Sequence, residues 1–117
     1  MNRPKEFLAW ATQTFGPVAL DRQERLARFI EEAIELAHAD DMDPAMLEKI
    51  IERVYGREPG WVPKEIGQAQ ACLEMYAESI KESADKLAGL EFDRVRCIPQ
   101  AEWDRRHAAK VAIGIAG

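Results

Sequence analysis

The sequence predicts an all-α fold, an antiparallel helix bundle of four to five helices that is completed by dimerisation. Three observations support this prediction: apolar residues recur at helical spacing, no stretch alternates with a period of two, and short loops rich in Gly or Pro separate the periodic segments. The 117 residues are enough for one domain with its own core. We assign that domain to residues 1–117, with a core over about residues 20–112.

The first two helices are predicted from apolar spacing and from the residues that bound them. Residues 5–14 carry apolar side chains on one face, and a Gly-Pro pair ends that segment. Asp21 is expected to cap the second helix, and Glu24 three positions later completes the pattern of a capping box. The apolar stripe of this second helix runs to about Ala39.

The third helix is predicted over about residues 44–55. Asp43 has the position of its cap and Pro44 that of its first helical residue. Gly56 ends it, and a connector with two Gly and two Pro follows over residues 56–63.

The fourth helix is predicted to be the longest, from about Pro63 to Gly89. Its evidence is one apolar stripe of about six turns, formed by Ile66, Ala69, Leu73, Tyr76, Ala77, Ile80, Ala84 and Leu87. A short segment over about 90–97 and a final helix over about 100–112 complete the predicted fold.

The formal net charge of -5, from 16 Lys and Arg against 21 Asp and Glu, bears on the partners of the chain. A nucleic-acid-coating protein needs a basic surface to displace counterions, so no nucleic-acid polymer is expected, whereas an acidic chain can hold divalent cations. No apolar run approaches the ~20 residues that cross a bilayer, so no membrane association is expected. Two cysteines and the lack of an export signal predict a cytoplasmic location.

The densest chemical signal is the run EEAIE at residues 31–35, within the second helix. Its three acids lie off the apolar stripe, and Glu32 and Glu35 stand one turn apart, so their carboxylates can converge on one ion. Oxygen ligands of this kind suit Mg²⁺ or Mn²⁺. The alternative is a solvated polar face on which Arg28 pairs with Glu31 or Glu32.

A second acidic segment begins the predicted fourth helix. Glu65 follows Glu35 after 29 intervening residues, and the sequence there reads EIGQ, ending at Gln68. With EExxE on one helix and a glutamate opening a later one, the chain resembles the MazG-like family of all-α nucleoside triphosphate pyrophosphohydrolases. The stretches RLARFIEEAIELAHA and GREPGWVPKEIGQAQACLEMYAES are similar to the two motif segments of that family. The resemblance covers about residues 20–95 and departs from the family at Gln68, where the family has the aspartate of ExxD.

The resemblance implies Mg²⁺- or Mn²⁺-dependent hydrolysis of a nucleoside or deoxynucleoside triphosphate to the monophosphate and pyrophosphate, by a homodimer or tetramer. It implies metal ligands at Glu32, Glu35, Glu65 and Gln68, of which Gln68 offers a carbonyl oxygen without a charge. The implied catalytic set is Glu31, Glu32 and Glu35, with Glu31 as a supporting acid. Gln68 also motivates an alternative function, a catalytically impaired nucleotide-binding protein or a helical dimerisation protein.

Basic residues near these segments are candidates for binding the phosphates of the substrate: Lys64, Arg94, Arg105, Arg106 and Lys110. Related chains place basic residues after the long helix, so Arg94 and Lys110 are the preferred pair. Solvent exposure without a role is the alternative for each. Trp61 precedes Glu65 and either stacks on a base or fills a gap between helices.

Overall fold

The computed structural model describes residues 2–117, and every regular element in that range is helical. The all-α prediction is therefore confirmed, but residues 2–117 form six α-helices and not four to five. The helices are α1 (Arg3–Phe15), α2 (Arg22–Ala39), α3 (Pro44–Tyr55), α4 (Val62–Ser79), α5 (Ala84–Val95) and α6 (Gln100–Ala112), with a 3₁₀ turn at Pro17–Leu20 between α1 and α2. Within residues 2–117, no helix is both long and apolar enough to cross a membrane.

The chain divides into two compact units. The terminal unit consists of the residues up to Ala39 together with Phe92–Gly117, and the central unit consists of Asp40–Glu91. The terminal unit therefore holds α1, α2, α6 and the end of α5. The central unit holds α3, α4 and most of α5.

Aromatic side chains pack α1 against α6 in the terminal unit. Trp10 and Trp103 meet edge to face with ring centroids 5.4 Å apart, and Phe15 meets Trp103 in the same way at 5.7 Å. A second edge-to-face pair, Phe7 with the buried Phe92 at 4.3 Å, ties α1 to the end of α5. Such pairs add to the hydrophobic burial that holds these helices together.

The helix caps confirm two of the local predictions and correct a third. The Asp21 carboxylate accepts a hydrogen bond from the Glu24 backbone N–H at 2.9 Å, and the Asp43 carboxylate accepts one from Ala45 N–H at 2.9 Å. The capping box is only half formed, because the Glu24 carboxylate does not return to Asp21. It accepts instead from the backbone N–H of Gly117 at 3.1 Å. A tertiary contact with the end of the chain therefore replaces the expected bond from Glu24 back to Asp21.

The prediction of one helix from 63 to 89 was wrong, because α4 ends at Ser79 and α5 begins at Ala84. The break is a Schellman motif: Lys81 N–H bonds the Glu78 carbonyl at 3.0 Å, and Glu82 N–H bonds the Ala77 carbonyl at 2.9 Å. Lys81 takes the left-handed conformation, with φ of 61°. The Ser83 hydroxyl then caps α5 by accepting from Lys86 N–H at 3.2 Å.

The element lengths repeat along the chain with an offset of 40 residues. α2 and α4 each have 18 residues, α3 and α5 each have 12, and each pair is joined by a four-residue turn. Asp41 and Lys81 occupy the same position in the two turns, and both have φ of 61°. This repeat is one of backbone structure and not of sequence, since the side chains at corresponding positions mostly differ.

The central unit buries very little of its apolar surface. Ala77 is its one buried residue among Asp40–Glu91. The larger apolar side chains of this unit are exposed: Met42, Met46, Ile50, Ile51, Val54, Tyr55, Trp61, Val62, Ile66, Leu73, Met75, Ile80, Leu87 and Leu90. Large apolar side chains exposed in this number are unusual for a unit that folds without a partner.

The left-handed residue in the α4–α5 turn gives a first prediction. Lys81→Gly should raise the free energy of unfolding by about 0.5–1 kcal/mol, because Gly reaches positive φ without the steric cost that a side chain carries. Denaturant unfolding followed by circular dichroism at fixed protein concentration measures the change. The matched control is Gln70→Gly at an exposed position in the interior of α4, which should lower the free energy by about 1 kcal/mol. A loss of stability in both variants would contradict the assigned turn.

Candidate functional site

The carboxylates of Glu32 and Glu35 come together on α2, as their spacing predicts. Partial burial, the negative charge of Glu35, hydrogen bonding with the Glu35 carboxyl and the charge of Glu31 raise the pKa of Glu32, while the nearby Lys110 ammonium partly opposes the shift. Protonation of Glu32 therefore relieves repulsion between neighbouring acids on α2.

Glu31 has a different environment from the two other acids of the motif. Its Oε1 lies 2.7 Å from the Lys110 Nζ of α6 and 3.7 Å from the Arg28 Nη1 of α2. The pairing of Arg28 with Glu31, one of the alternatives open from sequence, is the one that forms. Lys110 does lie beside the acidic motif, but its ammonium is paired with Glu31.

Arg28 links this cluster to the last residues of the chain. Its Nη2 donates to the carbonyl oxygen of Ile115, and its Nε lies 3.7 Å from the Glu24 Oε1. Glu24 is only 7% exposed and also accepts from Gly117 N–H. Sequence reasoning did not assign these contacts. The i, i+4 spacing of Glu24 and Arg28 is the signal that bears on them.

Glu65 and Gln68 lie together in the central unit. Glu65 is in the first turn of α4, as predicted, and Gln68 follows one turn later. Both line a cavity of about 400 Å³. The full lining is Val54, Arg57, Glu58, Pro59, Gly60, Lys64, Glu65 and Gln68. Sequence analysis assigned no role to Arg57, Glu58 or Gly60, although they stand within the connector that it identified.

The other predicted substrate residues have separate positions. Trp61 is the N-cap residue of α4 and is 71% exposed, so it fills no gap in a core. Arg94 lies in the last turn of α5 with an exposed side chain, in the terminal unit. Arg105 and Arg106 both bond the Glu102 carboxylate, through their Nε atoms at 3.0 and 2.9 Å. These bonds, that of Arg105 first, lower the pKa of Glu102 to about 2.

The predicted site residues thus divide between the units. Glu31, Glu32, Glu35, Arg94 and Lys110 belong to the terminal unit, and Trp61, Lys64, Glu65 and Gln68 belong to the central unit. Within the described range 2–117, no three Asp, Glu, His or Cys side chains converge in a geometry that would hold a metal ion. The Glu32–Glu35 pair still fits Mg²⁺ chemically, since that ion is usually held by one or two carboxylates together with waters and phosphate oxygens.

Comparisons with protein-family models, with curated proteins and with solved structures find no match for the chain. Two features therefore bear on its function: the carboxyl pair on α2 and the cavity at the start of α4.

The raised pKa of Glu32 gives a second prediction. A carboxyl whose pKa is higher in the folded than in the unfolded chain destabilises the fold increasingly as pH rises from about 4.5 through the folded pKa. Glu32→Gln removes this cost, so the variant should melt at a higher temperature than wild type at pH 7. The difference should shrink as the pH falls toward 4.

Thermal unfolding at pH 4 and at pH 7 measures the effect. The control is Glu48→Gln, an exposed residue of α3, which should leave the melting temperature nearly unchanged at both values. A Glu32→Gln variant that melts below wild type at pH 7 would contradict the raised pKa.

Proposed function

We propose that this chain is a Mg²⁺-dependent pyrophosphohydrolase of the MazG-like type, which cleaves a nucleoside or deoxynucleoside triphosphate to the monophosphate and pyrophosphate. The proposal rests on the EExxE pattern of α2, in which Glu32 is close enough to Glu35 and Glu31 for their charges to raise its pKa. The resemblance in sequence, with Glu65 opening a later helix, supports it. The two cysteines, both free, suit a reducing compartment, so the proposal includes a cytoplasmic location.

Glu32 and Glu35 would hold Mg²⁺ or Mn²⁺. Glu65 and Gln68, which the resemblance also implies as oxygen ligands, belong to the central unit. When bound, such an ion lowers the pKa of a coordinated water and offsets the charge of the phosphates. Partial burial, together with the negative charges of Glu35 and Glu31, raises the pKa of Glu32. A divalent cation between the two carboxylates would offset those negative charges.

Glu31 would act as a positioning residue. Its carboxylate fixes the Lys110 ammonium at 2.7 Å and so keeps a positive charge beside the carboxyl pair. From there Lys110 can offset negative charge on the phosphates during hydrolysis. Lys64 and Arg94 are the further cations that the proposal assigns to phosphate binding. The exposed Trp61 offers a ring face for stacking on the base.

The second candidate function is a catalytically impaired nucleotide-binding protein of the same type. Two observations favour it: position 68 has an amide where the family has a carboxylate, and Glu31 is engaged by Arg28 and Lys110. Both reduce the negative charge that is available for a metal ion. Such a protein would bind the nucleotide without cleaving it.

Exposed apolar residues of the central unit support the proposed dimer. α3 presents Ile50, Ile51 and Val54 to solvent, and α4 presents Ile66 and Leu73 on one side of the helix. Covering these faces with the same faces of a second copy would bury apolar surface at about 25 cal/mol per Å². We therefore propose that the antiparallel bundle is completed in a homodimer or tetramer. In the alternative of a helical dimerisation protein, forming this assembly is the whole function of the chain.

A third prediction tests the activity. The wild type with Mg²⁺ or Mn²⁺ should release pyrophosphate from at least one nucleoside or deoxynucleoside triphosphate in a panel. Glu32→Gln and Glu35→Gln should each reduce the rate by roughly 100-fold or more, because each removes a charge from the proposed metal site. A coupled pyrophosphate assay measures the rate.

Glu48→Gln is the control and should keep the wild-type rate. Full activity in both the Glu32 and Glu35 variants would refute the proposed site. A wild type without turnover, but with a melting temperature that Mg²⁺ and a nucleotide raise together, would support the second candidate function instead.

A fourth prediction concerns assembly. Light scattering at micromolar concentration should give a dimer mass or more, and the melting temperature should rise with protein concentration because association stabilises the folded chain. Ile50→Glu on the exposed face of α3 should lower the mass toward that of one chain, whereas Lys49→Glu at the neighbouring position should not. A wild-type mass of one chain at that concentration would refute the proposed dimer.

A further inference from the structure

The cavity at the start of α4, which we call the Arg57 cavity, has an unusual combination of charges. It lies wholly within the central unit, between the end of α3, the connector and the first two turns of α4. Its volume of about 400 Å³ is in the range of small-molecule sites. Two cations, Arg57 and Lys64, and two acids, Glu58 and Glu65, line it.

These four charged groups do not neutralise one another. Among residues 2–117, none of the four has an ion-pair partner within 4.0 Å, although all of them face the same cavity. The contrast with the terminal unit is clear, since there Glu31, Lys110 and Arg28 are joined in pairs. The cations and acids thus line one cavity without forming ion pairs with each other.

Gly60 allows the position of the Glu65 carboxylate. A Cβ atom at residue 60 would lie 2.6 Å from Glu65 Oε1 and 3.1 Å from its carboxyl carbon. The carboxylate is therefore folded back over the Cα of Gly60, at a distance that any larger residue would prevent. Gly60 does not have a positive φ, so close approach and not backbone conformation is what requires glycine here.

The lining selects a ligand that carries both signs of charge. Arg57 and Lys64 would attract a bare anion, but Glu58 and Glu65 would repel it. A bare cation would be attracted by the two acids and repelled by the two basic side chains. A diphosphate with a bound divalent cation satisfies both sets, since arginine and lysine recognise phosphate oxygens and carboxylates recognise the cation. The forked guanidinium of Arg57 can bind two phosphate oxygens at once.

We propose that the Arg57 cavity binds pyrophosphate as its magnesium complex, with Arg57 and Lys64 on the phosphate oxygens and Gly60 as the positioning residue for Glu65. The choice of pyrophosphate rests on the proposed function, of which it is a product. The site itself rests on the cavity, its unpaired charges and the Gly60 contact.

Isothermal titration of pyrophosphate into the full chain tests this inference, with Mg²⁺ and with EDTA in its place. Wild type should bind in Mg²⁺ and at least 10-fold more weakly in EDTA. Arg57→Ala should weaken binding by about 10-fold or more, the scale of one charge-assisted hydrogen bond, and Arg57→Lys should recover only part of the loss. Arg53→Ala, on the same helix end but outside the cavity lining, is the matched control and should bind as wild type.

Gly60→Ala separates positioning from folding. The new Cβ meets the mobile end of the Glu65 side chain, so the variant should melt at the wild-type temperature or above it. It should nevertheless lose Mg²⁺-dependent binding of pyrophosphate by several-fold, because the carboxylate is displaced. Wild-type binding by Arg57→Ala, or equal binding by wild type in Mg²⁺ and EDTA, or no binding at all, would overturn the inference.

Failure of this inference can be told apart from failure of the proposed function. Binding is measured without turnover, so a wild type that binds magnesium pyrophosphate through Arg57 but cleaves no nucleotide refutes the hydrolase and keeps the cavity. A wild type that cleaves nucleotides, and does so unchanged in Arg57→Ala, keeps the hydrolase and refutes the cavity.

Discussion

The balance of charge around Glu31 is the interaction on which the terminal unit depends. Glu31 stands between two other acids on α2, and cations from two directions offset it: Lys110 from α6 and Arg28 from the preceding turn. The same Arg28 holds the carbonyl of Ile115, so one guanidinium joins the acidic motif to the end of the chain. Packing of α6 and the chain end against α2 is therefore tied to the electrostatics of the candidate site.

Local signals predicted most of the helix boundaries, because local physics decides them. Asp21 and Asp43 cap helices through their own side chains, as the sequence pattern requires. The α4–α5 break was missed because its local signals were misleading. An apolar stripe continues through the break, and Lys81 occupies the left-handed position where glycine is usual. A Schellman motif without glycine leaves almost no mark in a single sequence.

The candidate site was predictable only as far as helical spacing reaches. The Glu32–Glu35 contact and the proximity of Glu65 to Gln68 follow from their separation by three residues on a helix. The pairing of Glu31 with Lys110 joins residues on different helices, and no periodicity encodes it. The role of Gly60 is likewise invisible in sequence, where a glycine in a Gly- and Pro-rich connector indicates only a turn.

The two candidate sites differ in their balance of charge, and they therefore differ in how many of their charged groups form ion pairs. On α2 the excess of acid is partly neutralised by the ion pairs of Glu31, and partial burial together with the charges of Glu35 and Glu31 raises the pKa of Glu32. In the Arg57 cavity both signs are present in equal number but stay apart. An ion pair between an acid and a cation of the cavity would neutralise both charges and leave neither for a ligand.

Stability and ligand binding therefore favour different residues at the same positions. A neutral amide at position 32 relieves repulsion in the folded chain, and a larger residue at position 60 restricts the unfolded chain, so both changes favour folding. In the proposals above, the glutamate serves a cation between carboxylates and the glycine serves a ligand beside Glu65. Residues that cost stability and are nonetheless present are the strongest internal indication of where this protein acts.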